Sequence, residues 1–124
     1  MRPRHLSALT LTLYPGTDLY QERRAGRFQA ATARDTLREA RLLIEKLEVD
    51  PLHFTCDHAS NYVPLKGGLP EDRAYFLSRL DQALESGTGM RPEWSRGLRW
   101  RDGKMEGTGG EECLYFLRVT CYNR

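Results

Sequence analysis

Polar and apolar residues alternate from Ser7 to Tyr14, with Leu9, Leu11 and Leu13 on one side and Ala8, Thr10, Thr12 and Tyr14 on the other. A period of two predicts a β-strand. Neither side carries a charge, so both are expected to be covered, as in the parallel sheets of α/β proteins. The leucine side suits packing beneath helices, and the threonine and tyrosine side suits a barrel lumen or a polar cleft. Pro15-Gly16 ends the strand, and Thr17 followed by Asp18 predicts a short helix over about Asp18 to Arg24, closed by Gly26. Phe28 is expected to anchor the connection. The spacing then turns helical. Thr32 and Asp35 stand in capping-box positions, and Leu37, Ala40, Leu43, Ile44 and Leu47 form one apolar stripe through about Glu48. Asp50-Pro51 stops that helix.

Leu52 to Cys56 reads as a second strand, so the chain runs strand, helices, strand. In one sheet that crossover makes the strands parallel. The segments just past the strand ends, Tyr14 to Thr17 and Asp57 to Gly68, are then where a ligand is expected. Pro70 suits the first position of a third helix, with Glu71 and Asp72 behind it. Phe76, Leu77, Leu80, Ala83 and Leu84 give that helix its apolar stripe, and Ser86-Gly87-Thr88-Gly89 ends it. Met90 to Leu98 reads as extended, with Trp94 docked on the body. Arg99 to Glu112 has no period, and Cys113 to Tyr122 has strand-like composition suited to an edge strand or a poorly ordered tail. The predicted class is α/β: strand, helix, helix, strand, loop, helix.

Composition narrows this picture. The 124 residues, 40% hydrophobic and 29% charged, suit one small globular domain. No apolar run approaches the roughly 20 residues that span a bilayer, and Leu9 to Leu13 is too short for a signal core, so a cytoplasmic location is expected. A formal net charge of +2 with interspersed signs gives no basic face for nucleic acid. The local clusters, Arg2 with Arg4 and Arg96 with Arg99 and Arg101, are expected to be solvated surface. Cys56, Cys113 and Cys121 are odd in number and irregular in spacing, which predicts free thiols rather than a disulfide framework.

The chemistry-bearing residues concentrate between Leu52 and Pro70. His53, Cys56, Asp57 and His58 are possible metal ligands, but strand geometry turns His53 and Cys56 to opposite faces and no second cluster completes a zinc-type set. A satisfied polar loop is the stronger expectation. Cys56 or Ser60 with His58 resembles a nucleophile and base only in composition, since such pairs usually come from separate elements. Gly67-Gly68 and Pro15-Gly16-Thr17 match no phosphate-loop pattern. Asp57, His58, Ser60 and Asn61, with Tyr62, remain as candidate catalytic residues. Against that stands their use in capping the loop's own backbone, which is common for Asp, Ser and Asn.

These residues carry a resemblance. Phe54-Thr55-Cys56-Asp57-His58-Ala59-Ser60-Asn61-Tyr62-Val63-Pro64-Leu65, followed by Gly68-Leu69-Pro70-Glu71-Asp72, resembles the C-terminal part of a group of radical SAM proteins. Leu11 to Tyr20, with its Pro-Gly-Thr-x-Leu-Tyr run, is similar to their last barrel-strand region. Arg91-Pro92-Glu93-Trp94 and Arg96-Gly97-Leu98 are similar to their usual ending. The likeness spans about Leu6 to Leu98 in one register.

The resemblance implies the end of a partial (β/α) barrel plus a C-terminal helical extension over residues 1–98, with 99–124 a divergent tail. In full-length members a [4Fe–4S] cluster, held by three cysteines spaced C-x3-C-x2-C, cleaves S-adenosylmethionine. This chain has no such motif, so it is expected to be inactive alone, as a truncated product, half of a split protein or a domain of a larger one, with a separate chain that carries the first barrel half as one expected partner. Thr10, Thr12 and Tyr14 would face the lumen. Thr12, Tyr14, Pro15 and Gly16 would lie by the cofactor, and Asp57, His58, Ser60 and Asn61 by the substrate side or pinning the extension. A barrel end alone exposes an unpaired edge, which predicts self-association. The rival expectations are a free-standing module that binds a small ligand or a protein through the 52–70 loop and, more weakly, a small hydrolase built on His58.

Overall fold

The structure, a computed structural model, describes residues 3–49, 51–96, 98–101, 104–107 and 117–122. In chain order the elements are β1 (His5–Thr10), α1 (Asp18–Arg24), α2 (Ala33–Lys46), β2 (Leu52–Cys56), β3 (Leu65–Leu69), α3 (Arg73–Ser86), α4 (Glu93–Arg96), β4 (Leu98–Arg101), β5 (Lys104–Gly107) and β6 (Leu117–Tyr122). β1 and β2 are parallel neighbours, as the strand-helix-strand pattern predicts, with His5, Leu6 and Ser7 opposite His53, Phe54 and Thr55. β3 adds antiparallel to β2, and β6 adds antiparallel to the far edge of β1. The result is a mixed α/β unit on one four-stranded sheet ordered β3-β2-β1-β6, with β4 and β5 forming a separate antiparallel pair. Among the described residues no helix is long and apolar enough to cross a membrane.

The buried face of the sheet is the reverse of the one its leucines suggest. β1 runs from His5 to Thr10, not from Ser7 to Tyr14, and it buries Leu6, Ala8 and Thr10. Leu9 sits on the half-buried side with Ser7. The alternation of Leu9, Leu11 and Leu13 misleads because the ladder stops at Thr10 and residues 11–14 are not strand. On β2 and β3 the same face carries Leu52, Phe54, Cys56, Leu65 and Leu69, which form one core with Leu37, Ala40 and Ile44 of α2 and Phe76, Leu80 and Ala83 of α3. The other face, with His5, Ser7, Leu9, His53, Thr55 and Lys66, contributes nothing to that core. α2 and α3 pack on the one face; on the other, Ser7, Leu9, His53 and Thr55 are half-buried and His5 and Lys66 exposed.

α1 begins and ends where the sequence places it, with the Thr17 side chain accepting from the Tyr20 backbone and Gly26 at φ +76°. α2 carries the capping box of Thr32 and Asp35, and Thr32 donates to Asp35 Oδ2 at 2.6 Å. That bond holds the Asp35 carboxyl below its ordinary range, so the cap is complete above that range and is lost as pH falls through the lowered value. α3 starts at Arg73, three residues later than Pro70 would set it. Asp72 stands at its cap position, but its carboxylate turns back to accept from the Gly68 N–H at 2.8 Å. Gly67 is fixed by the same turn. A Cβ there would lie 2.3 Å from Asp72 Oδ2 and 3.0 Å from the Phe76 ring.

α2 and α3 run antiparallel, and each caps the other. Arg34, in the first turn of α2, donates to the Leu84 carbonyl near the end of α3 at 3.1 Å. Arg73, opening α3, donates to the Ile44 carbonyl and, at 2.7 Å, to the Leu47 carbonyl at the end of α2. A cation opposes its own helix dipole in the first turn, yet here it satisfies a neighbour's orphan carbonyls at the negative end. Arg41 and Asp81 join the helices between them at 2.6 Å. Arg73→Ala is expected to cost about 1–2 kcal/mol, from lost charge-assisted bonds to carbonyls, read as a lower urea midpoint with unchanged slope. Arg34→Ala, at an exposed single contact, is expected to cost less.

Three further expectations change. The 57–68 segment is a shorter loop, 57–64, followed by β3. Met90 to Leu98 is not extended throughout but contains the turn of helix α4. The patternless stretch from Arg99 contains β5 and, with Leu98 before it, β4, and the two strands pair. The Trp94 side chain and residues 108–116, including Cys113, lie outside the described residues.

Candidate functional site

The loop from Asp57 to Pro64 leaves the C-terminal end of β2 and passes over the end of β1. Its central residue, Asn61, is 1% exposed. Asn61 Oδ1 accepts from the Thr10 N–H at 2.7 Å and the Thr10 hydroxyl at 3.0 Å, and its Nδ2 donates to the Ala8 carbonyl at 2.9 Å. Ala8 C=O and Thr10 N–H are the next groups in the β1–β2 ladder after β2 has turned away. The carboxamide therefore stands in for one peptide unit of a missing strand neighbour. Without it, two buried backbone groups would be orphaned.

Two arginines from the segment after α3 hold the outer side of the loop. Arg91 donates to the carbonyls of His58 at 2.6 Å, Asp57 at 3.3 Å and Asn61 at 3.4 Å, while its backbone N–H bonds the Tyr62 carbonyl at 2.7 Å. Arg96 is 1% exposed, so it is not the solvated surface cation its cluster suggests. Its guanidinium carbon lies 3.1 Å from the centre of the buried Tyr62 ring, and Nε donates to the Ser60 carbonyl at 3.3 Å. A loop too short for its own secondary structure thus has its carbonyls satisfied by guanidinium groups, whose planar forks reach several acceptors at once.

His58 and Ser60 do meet, with Nδ1 and Oγ 2.9 Å apart. The Ser60 N–H also donates to Nδ1, at 3.2 Å. Nδ1 is therefore an acceptor, and the neutral ring carries its proton on Nε2. The lone pair that would take a hydroxyl proton is shared with a backbone N–H two residues away. The contact closes the loop in the manner of short-range side-chain caps. Asp57 and His58 point to solvent, while Ser60 is buried.

Cys56 faces the core, on the side of β2 opposite to His53. Burial pushes its thiol up to about 12, with the Asp57 charge adding to the rise and Arg91 opposing it. At neutral pH it is a thiol rather than a nucleophilic or metal-binding thiolate. In a Cys113→Ser, Cys121→Ser background, iodoacetamide is expected to leave the native protein unmodified and to add one label after unfolding, by intact mass. Among the described residues no group of three or more His, Cys, Asp or Glu is arranged to hold a metal ion.

The second strand-end segment is a turn. The Thr17 N–H and hydroxyl both donate to the Tyr14 carbonyl, at 3.2 and 2.8 Å, and Gly16 takes φ +91°. Thr12 and Tyr14 are half-buried, and Pro15 and Gly16 are exposed. Turn formation and the cap of α1 account for the polar groups here. An open hollow of about 740 Å³ lies at the other end of the parallel strands, lined by Arg4, His53 and Glu71 among others. Sequence reasoning overlooked Arg91 and Arg96 as partners of the loop, and it overlooked His5 as the neighbour of His53. The only available signal was that Arg91 and Arg96 recur in the same resemblance as the loop.

The chain matches no protein-family model, no curated protein and no solved structure.

Proposed function

We propose that this chain is a non-catalytic C-terminal unit of a radical SAM-type barrel, inactive alone and completing a barrel whose first half and cluster ligands another chain supplies. The observation that carries the reading is the one-sided layering. β1 and β2 are parallel, joined through α1 and α2, with the helical core on one face and a polar, half-open face opposite. A barrel wall has that asymmetry, helices outside and lumen inside. In this unit the lumen face is that of Ser7, Leu9 and Thr55, not of Thr10. Contacts within the span of the likeness add support: Asn61 binds β1, and Arg91 and Arg96 bind the Asn61 loop.

The residues present do not fit the cluster. Thiolates hold such clusters, and Cys56 is a buried thiol of raised pKa beneath the helices. Anaerobic reconstitution of the chain with iron and sulfide should therefore leave less than stoichiometric iron and no cleavage of S-adenosylmethionine. Co-expression with a chain carrying C-x3-C-x2-C and the earlier barrel strands should restore both. Stable cluster uptake by this chain alone, or failure of the two chains to associate, would overturn the reading.

One observation favours the rival of a free-standing module. β6 pairs along all six residues of β1, on the edge that the preceding barrel strand would take. That covers the outer edge of β1 and leaves β6 and β3 as the edges of the sheet. The two readings separate in one measurement. Deleting residues 98–124 should strengthen association with the partner chain if β6 only occupies a vacant edge. If the chain is a self-contained module, the deletion should destroy cooperative unfolding.

A further inference from the structure

The three histidines are spread over 54 positions of the sequence, yet the register of β1 on β2 sets His5 directly opposite His53. Directly opposed residues on neighbouring strands share a face, and this face is opposite the one that packs on α2 and α3. Their ring centroids are 5.5 Å apart, at an interplanar angle of 68°. His53 also lines the open hollow of about 740 Å³, whose rim carries Arg4 and Glu71. His5 is exposed and His53 half-buried, so the first ring is free to turn while the second is held.

We propose that His5 and His53 form a two-imidazole site for a divalent late transition metal, open to the hollow. With metal–nitrogen bonds of about 2.0–2.1 Å, each imidazole centroid lies about 3.2 Å from the ion, so two rings on adjacent tetrahedral positions have centroids about 5.2 Å apart. The observed 5.5 Å is close to that value. No third protein ligand is in place among the described residues, so water or a bound small molecule completes the sphere from the hollow. Imidazole pairs favour copper, nickel and zinc over magnesium or calcium, with copper strongest. Arg4 and Glu71 both stand at the rim of the hollow. The site is independent of the barrel reading, because it uses only the β1–β2 register.

Nickel chloride titrated into the full chain with Cys113→Ser and Cys121→Ser, followed by calorimetry, is expected to show one equivalent bound. His5→Ala and His53→Ala should each weaken binding at least tenfold, and His58→Ala, in the loop at the opposite strand end, should leave it unchanged. Proton spectra of the unmutated histidines give a reading that does not depend on a variant folding: nickel should broaden two of the three imidazole signals and spare that of His58. Equal broadening of all three signals, no broadening, or unchanged affinity in both strand variants would overturn the site.

Discussion

Asn61→Ala is expected to destabilise the protein by roughly 3–5 kcal/mol, taking about 1–3 kcal/mol for each buried polar group left without a partner. Thr10 N–H and Ala8 C=O are backbone groups beneath the loop and have no freedom to seek other partners, while the Thr10 hydroxyl retains some. That loss is a large share of the total stability of a domain this size, about 5–15 kcal/mol. A urea midpoint shift worth less than about 1 kcal/mol would contradict the strand-surrogate role. Asn61→Asp distinguishes the role further. An ionised carboxylate still accepts from Thr10 but opposes the Ala8 carbonyl, whereas a protonated one donates to it. Burial and that carbonyl raise the folded-state pKa of the new carboxyl above its unfolded value. The variant is therefore expected to be most stable below the unfolded value and to lose stability as pH rises through the folded one. The parent chain has no such group at this position.

The second large effect is expected at Arg96. Arg96→Ala removes a desolvated cation stacked on Tyr62, worth about 2 kcal/mol, and a charged donor to the Ser60 carbonyl. The total is roughly 3 kcal/mol, measured by equilibrium unfolding. Arg96→Lys is expected to recover less than half of this, because an ammonium neither stacks flat on a ring nor reaches sideways to the carbonyl. Full recovery by lysine would show that charge alone is what the loop requires. Amide exchange gives an independent reading. In Arg96→Ala the Asn61 N–H, bonded to the His58 carbonyl at 3.0 Å, should exchange faster than amides in the middle of α2.

Asn61 belongs to a run that the sequence marks as chemistry and Arg96 to a cluster it marks as solvated surface, and the structure uses both as framework. Ser60, Asn61 and Tyr62 are turned inward, so three members of the most reactive-looking run are occupied in holding the loop. Of the candidate catalytic residues, Asp57 and His58 alone are exposed, and the Nδ1 of His58 is engaged by Ser60. A ligand-binding use of this loop would have to rely on Asp57, His58 and Ala59 rather than on its Ser-Asn-Tyr centre.

Local signals in the sequence determined α1, α2 and β2, since caps, Pro and Gly punctuation and 3.6-residue stripes act within a few residues of where they are read. They also determined that β1 and β2 are parallel, because a helical crossover leaves little alternative. Only the tertiary structure decided which face of β1 is buried. That depends on where the ladder stops, and the ladder stops because β2 turns away and Asn61 takes its place. The burial of Arg96, the mutual capping by Arg34 and Arg73, and the meeting of His5 with His53 were likewise beyond reach of the chain read in order. Each joins residues roughly 26 to 50 positions apart, and its energy comes from desolvation and register, which exist only once the strands and helices have packed.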